Sequence, residues 1–199
     1  MSLAPWRSPL ARALHQGRRR PDSRYLQLAT VGLDGNPDNR TVVFRGFVDG
    51  ENQLKIITDS RSDKIEQLTQ NPRAALCWYF SESREQFRFW GTMTVIDGQS
   101  TASNGQDFQQ LRQATWQGLS DNARAQFGWP DPGSPRPNAK QPFSVKAVEQ
   151  SQPPDVFVLL LFSPDRVDHL KLKGNPQSRT FYYLQRNDSE MWETQAVHP

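Results

Sequence analysis

Cysteine is nearly absent: the 199 residues contain one, Cys77, which excludes an internal disulfide and any multi-cysteine metal site. Histidine is almost as scarce, and His15, His169 and His198 are too scattered to suggest a metal cluster. The longest apolar run, Val156 to Phe162, falls well short of the ~20 residues that span a bilayer, and Met1 to Gly17 lacks the continuous apolar stretch of a secretory leader. A cytoplasmic protein with no membrane contact is the expectation. The chain has no glycine-rich dinucleotide fingerprint, no P-loop, and nothing that reads as Ser-His-Asp or paired-carboxylate catalysis. Lysine is sparse as well, six against 18 arginines, and a net charge of +3 is too mild for a typical nucleic-acid footprint. The arginine excess instead suits a phosphate or carboxylate ligand. Although only 35% of residues are hydrophobic, 11 Phe, 6 Trp and 4 Tyr supply the bulk that a core needs. At this length one domain is expected.

Trp6 to His15 has the spacing of a short amphipathic helix, and Arg18 to Arg20 before Pro21 reads as its solvated end. Residues 1–22 are therefore expected to form an N-terminal extension and residues 23–199 a single domain. Tyr25 to Val31 alternates like a strand; residues 33–39 are rich in turn formers, and Thr41 to Phe44 and Leu54 to Thr58 continue what looks like a three-stranded meander. Ser62-Asp63 heads a short helix, Lys64 to Gln70, closed by Asn71-Pro72. Ala74 to Phe80 and Gln86 to Ile96 then read as a strand pair with Trp78, Phe80, Phe87 and Phe89 on one buried face.

Asp107 to Leu119 has helical spacing, and Ser120 can cap a second short helix. Five prolines between residues 129 and 142 (130, 132, 135, 137 and 142) forbid regular structure there and suggest a surface excursion or lid. Further strands are expected at 156–162, 167–172, 180–184 and 191–196. About nine strands with few intervening helices favour a mainly β, antiparallel barrel with peripheral helices over a doubly wound parallel sheet.

Chemistry concentrates between Arg40 and Lys64. If the strands that carry Arg40 and Thr58 are neighbours, Arg40 and Lys64 lie at one end of the sheet beside the Thr58 hydroxyl and the free amides of a helix start, which makes a phosphate cradle. The alternative is an exposed strand opening at Arg40 and a wet helix face at Lys64. Cys77, among apolar neighbours, reads as a structural thiol, and His169 as a strand-surface or dimer-contact residue.

The ordered series Arg40-Thr41-Val42-Val43-Phe44-Arg45, Ile57-Thr58, Ser62-Asp63-Lys64, Glu66-Gln67-Leu68, Asn71-Pro72, Gln86 and Gly91 resembles the FMN-binding half of the pyridoxamine 5′-phosphate oxidase-like flavoproteins. Val167 to Leu170 and Ser178 to Phe181 resemble that family's C-terminal segment, and Ser120 to Pro130 resembles a subgroup of unassigned substrate. The resemblance implies a split β-barrel homodimer with FMN in the clefts between subunits. It further implies that Arg40, Lys64, Thr58 and Ser62 hold the FMN phosphate. Thr41, Val42, Val43 and Ile57 would line the cofactor, Arg45 would stand near the ring where relatives carry Lys, and Gln86 and Arg179 would reach the flavin.

The departures from the pattern are specific. Asp63 stands where the family has a second phosphate-binding cation, Leu170 where true oxidases place a Trp, and Asn175-Pro176-Gln177 where they place an Arg-x-His pair. An FMN-dependent oxidoreductase that acts poorly on pyridoxine 5′-phosphate is the first expectation. A flavin carrier or sensor without turnover, and a β-barrel that binds single-stranded nucleic acid, are the alternatives.

Overall fold

The computed structural model describes residues 3–102, 107–136, 138, 140, 142–186 and 190–199; Met1, Ser2 and Pro137 of the expectations above lie outside these. In chain order the elements are α1 (Arg7–Gln16), β1 (Tyr25–Val31), β2 (Pro37–Val43), β3 (Leu54–Asp59), α2 (Lys64–Gln70), β4 (Arg73–Phe80), β5 (Glu85–Ile96), α3 (Phe108–Gln117), α4 (Asp121–Ala125), β6 (Phe157–Lys171), β7 (Ser178–Arg186) and β8 (Glu190–Val197). All pairings are antiparallel, and the sheet runs β2-β1-β4-β5-β6-β7-β8, with β3 joined to β6 off that path. The architecture is the antiparallel split barrel with a few peripheral helices. None of the described helices is long and apolar enough to cross a membrane.

Strand alternation builds the core. Leu26 and Leu28 of β1, Leu76, Trp78 and Phe80 of β4, and Phe87 and Phe89 of β5 all turn inward, where they meet Trp6 and Leu10 from α1. Residues 157–162 are buried at every position because both faces of that stretch are covered. Val158, Leu160 and Phe162 face the barrel core; Leu159 and Leu161 pack with Ile96 and Phe108, and Phe157 with Trp116 and Leu119.

Three expectations are corrected. The strands foreseen at 156–162 and 167–172 are one 15-residue strand, β6. Ser163 to Arg166 break its hydrophobic pattern because the register shifts between Trp90 and Gly91 of β5, across from Pro164. At the same place β6 changes its other partner, from β3 at Leu54↔Phe162 to β7 at Arg166↔Tyr183. The meander is also absent: β2 pairs with β1 alone, whereas β3 pairs with β6. The connecting segment switches edges at Arg45-Gly46, where Arg45 N–H donates to the Lys55 carbonyl (2.8 Å) and Gly46 takes φ 104°. Lastly, β2 begins at Pro37, so the β1–β2 turn is shorter than residues 33–39.

Candidate functional site

β2 ends the sheet path and β3 pairs on one side with β6, so their facing edges diverge beyond Arg45 and leave a gap. A cavity of about 370 Å³ occupies this gap, within the size range of small-molecule sites. Thr41, Val42, Val43 and Arg45 line one side, and Ile57, Thr58, Asp59 and Lys64 the other. Ala123, Gln126, Phe127, Trp129, Pro130 and Pro132 contribute the outer wall. Thus seven of the eleven expected cofactor residues line one cavity: Thr41, Val42, Val43, Arg45, Ile57, Thr58 and Lys64.

Lys64 opens α2 and donates its Nζ to Thr58 Oγ1 at 3.0 Å and to Ser62 Oγ. Among the described residues no carboxylate pairs with it. Burial lowers its pKa, the nearby Arg40 charge lowers it further, and Asp59, Asp63 and Asp38 act only as weaker, opposing influences. The result is a partly desolvated ammonium at a cavity wall, with two hydroxyls around it. Arg45 has a similar character: burial lowers its pKa, and its Nε is buried without a hydrogen-bond partner.

Arg40 does not line the cavity. Its guanidinium binds Gln67 Oε1 at 3.0 Å, Thr30 Oγ1 and the Asp38 carboxylate. Gln67, itself buried, also accepts from Thr30 at 2.6 Å and donates to Asp38 at 2.9 Å. Sequence reasoning assigned no role to this network. Its available signal was spacing, since Gln67 lies three positions after Lys64 and so on a neighbouring part of the helix surface.

Ser62 was expected to help cap α2. Instead Asp63 occupies the cap position without a side-chain cap bond, and Ser62 Oγ faces Lys64. Asp63 lines a separate groove with Asp34, Asp38 and Glu66, outside the cavity.

The proline-rich segment supplies part of the wall through Trp129, Pro130 and Pro132. Arg61 fastens it: the guanidinium binds Asp59 in a two-point contact (Nε–Oδ1 2.8 Å, Nη2–Oδ2 2.6 Å), Asp131 Oδ1 at 2.7 Å and the Trp129 carbonyl at 3.2 Å. The Arg61–Asp131 contact joins residues 70 apart and has no local sequence signal.

Gln86 and Arg179 lie elsewhere in the chain. Register aligns Gln86 with Leu170 and Leu170 with Arg179 across β5, β6 and β7. This outer sheet face also carries Arg88, Trp90, Arg166, Phe181 and Tyr183, all half-buried. Arg166 stacks over Trp90 at 4.4 Å and Phe181 at 5.2 Å, and its Nε is buried without a partner. Asp168, fully buried, binds Arg88 and Arg179 together. Cys77 sits on the same face of β4, where burial pushes its thiol pKa up.

His169 corrects the strand-surface half of its expectation. It is not on a strand surface but buried, stacked on Phe87 with centroids 4.0 Å apart, and paired through Nε2 with Glu85. Burial lowers its pKa against the opposing effect of Glu85.

Residues 3–97 match the family model described as pyridoxamine 5′-phosphate oxidase, FMN-binding domain. The chain is 39% identical over 198 residues to pyridoxine/pyridoxamine 5′-phosphate oxidase 2 of Arabidopsis thaliana, covering 99% of this chain and 98% of the relative. A pyridoxine/pyridoxamine 5′-phosphate oxidase of Deinococcus deserti is 34% identical over 98 residues, which span 49% of this chain and 44% of that protein. A solved pyridoxamine 5′-phosphate oxidase-related, FMN binding protein from Nostoc punctiforme PCC 73102 superposes with TM-score 0.88 at 50% identity and full coverage of both chains. PhzG from Burkholderia lata 383, solved with tetrahydrophenazine-1-carboxylic acid, shares the fold: TM-score 0.70, 20% identity, and coverage of 98% of this chain and 93% of that one.

Proposed function

Because this chain belongs to the pyridoxamine 5′-phosphate oxidase-like family of FMN-binding split barrels, we propose that it is an FMN-dependent oxidoreductase whose β2–β3 cavity receives the cofactor. One observation carries the reading: the Lys64 ammonium, ion-paired with no carboxylate among the described residues and with the hydroxyls of Thr58 and Ser62 beside it, fits a phosphate group. An anion there would reverse the electrostatic penalty of holding Lys64 and Arg40 close together. Arg40, tied by Gln67, Thr30 and Asp38, adds positive potential near Lys64 without touching it.

Bound FMN would supply hydride-transfer chemistry. The chain's own residues bind, orient and exclude water. The outward edge of β2 at Thr41 to Val43 offers backbone groups that no neighbouring strand takes up. Arg45, with its unpartnered Nε, places a cation beside the cavity. Phe127, Trp129, Pro130 and Pro132 form an apolar wall that keeps solvent out.

Dimerisation belongs to the same reading. Gln86 and Arg179 do not line the cavity of their own chain, and the sheet face that carries them has half-buried aromatics and a buried, unpartnered Arg166 Nε. Docking this face against a second copy would cover those groups and bring Gln86 and Arg179 to the partner's cavity.

The substrate is proposed to differ from pyridoxine 5′-phosphate. Residues 175–177, Asn-Pro-Gln, are exposed and carry no cation to hold a second phosphate, and Leu170 offers no aromatic face. The full-length likeness to the Arabidopsis protein favours a second reading, in which that vitamer is the substrate after all.

Two measurements test these statements. Lys64→Gln should weaken FMN binding by about tenfold or more while leaving riboflavin, which has no phosphate, unaffected. Equal effects on both flavins, or none on either, overturn the phosphate assignment. Turnover of pyridoxine 5′-phosphate with oxygen by the FMN-loaded protein should be far below ordinary enzyme rates; rates of about 1 s⁻¹ or more establish the second reading.

A further inference from the structure

A second cleft, of about 390 Å³, lies between α1 and the sheet formed by β6, β7 and β8. None of the residues lining it lines the β2–β3 cavity. Its composition is one-sided: Arg12 from α1 and Lys171 from β6 bring positive charge, and no carboxylate lines it. Arg12 donates only to Ser8 Oγ, at 2.9 Å, and neither cation pairs with an acid among the described residues. Both are close enough to the buried His169 to oppose its protonation.

Between the cations stands a set of hydroxyls. Ser178, Thr180 and Tyr182 alternate along β7 and so share one face, and Thr194 of β8 pairs in register with Tyr182. Lys171 pairs with Ser178 and His169 with Thr180, so the floor is continuous across three strands. No hydrogen-bond partner engages these four hydroxyls among the described residues. His169, which also lines the cleft, is paired with Glu85.

We propose that this cleft binds the phosphate of a small phosphomonoester, with Arg12 and Lys171 as the charged grips and the hydroxyls of Ser178, Thr180, Tyr182 and Thr194 as its neutral donors. A tetrahedral oxyanion accepts hydrogen bonds from several directions at once, which suits donors arriving from a helix and three strands; a planar carboxylate uses fewer of them. The volume exceeds that of phosphate alone, so an ester body has room beside it. Strand alternation also turns these residues away from the face of Gln86, Leu170 and Arg179, so that the cleft stays open if that face is covered by a second copy.

The test uses FMN-saturated protein, so that a phosphate site at Lys64 is already filled. Calorimetric titration is carried out with inorganic phosphate, ribose 5-phosphate and succinate. Both phosphates should bind, ribose 5-phosphate the tighter, with succinate weaker than either. Arg12→Gln or Lys171→Gln should weaken ribose 5-phosphate by about tenfold without changing FMN content, and loss in either variant supports the site. Absence of binding at millimolar concentrations, binding that survives both substitutions, or succinate binding as tightly as the phosphates overturns it. Arg12 is exposed and Lys171 half-buried, and thermal unfolding of each variant verifies that it folds.

Discussion

Asp168 illustrates how a single buried charge can be held between two strands. It is 1% exposed and is gripped by Arg88 on β5 and Arg179 on β7. Burial, the largest single influence, would raise its pKa; the hydrogen bonds and positive charges of Arg179 and Arg88 together outweigh that and hold it below the usual carboxylate range. A carboxyl whose folded pKa is depressed stabilises the fold above its unfolded value of about 3.9, and that contribution is lost as pH falls through the lower folded value. Asp168→Asn should therefore destabilise the protein at neutral pH and flatten the acid limb of its stability profile, as followed by urea unfolding between pH 2 and 7. An unchanged acid limb would place the pH dependence elsewhere. None of this was legible in the sequence, where Asp168 appeared only as part of a tail motif; the pairing needs three strands in register.

Helices and most strands could be read from local pattern because their cause is local. Tyr25 to Val31 alternates with period two, and Ser120 caps α4 by accepting from the Ala123 amide, as its residue type suggests. Pairing partners are not local. Nothing in the run Leu54 to Thr58 distinguishes an edge against β2 from an edge against β6, so the meander expectation failed there. β6 was divided in two because Ser163-Pro164-Asp165 resembles a turn, although Pro164 is accommodated at a bulge. Gly91 marks that bulge from the other side: a Cβ at this position would lie 2.2 Å from the Ser163 carbonyl oxygen. Gly91→Ala should cost at least ~2 kcal/mol in urea unfolding, since backbone rather than a flexible side-chain tip must move. A cost within experimental error would mean that the two strands can separate freely at this point.

At the scale of the whole molecule, the residues that line the cavity were legible from their spacing, whereas Gln86 and Arg179 were indicated by the family resemblance alone. Thr41 to Arg45 and Ile57 to Lys64 lie close in sequence and converge through one chain reversal, whereas Gln86 and Arg179 join the site only in the proposed dimer. Phe181→Glu, on the outer sheet face, should convert a dimer of twice 22.8 kDa into monomers and weaken FMN binding with it. Sedimentation equilibrium alongside flavin titration checks both outcomes; monomers that keep full FMN affinity would separate the cofactor site from the subunit contact. The Arg61 contacts, which tie the proline-rich wall to the end of β3, lie on the opposite side of the bulge in β6 from the partners of β7.

That bulge has an evolutionary consequence. In an uninterrupted ladder, a one-residue slip would invert every inward and outward side chain along its whole length. Here the irregularity opposite Gly91 acts as a phase break, so drift in the β3 half need not propagate to the β7 half. Descendants of this scaffold can reshape the β2–β3 cavity while the outer face of β6 and β7, the proposed contact between copies, keeps its pattern of side chains.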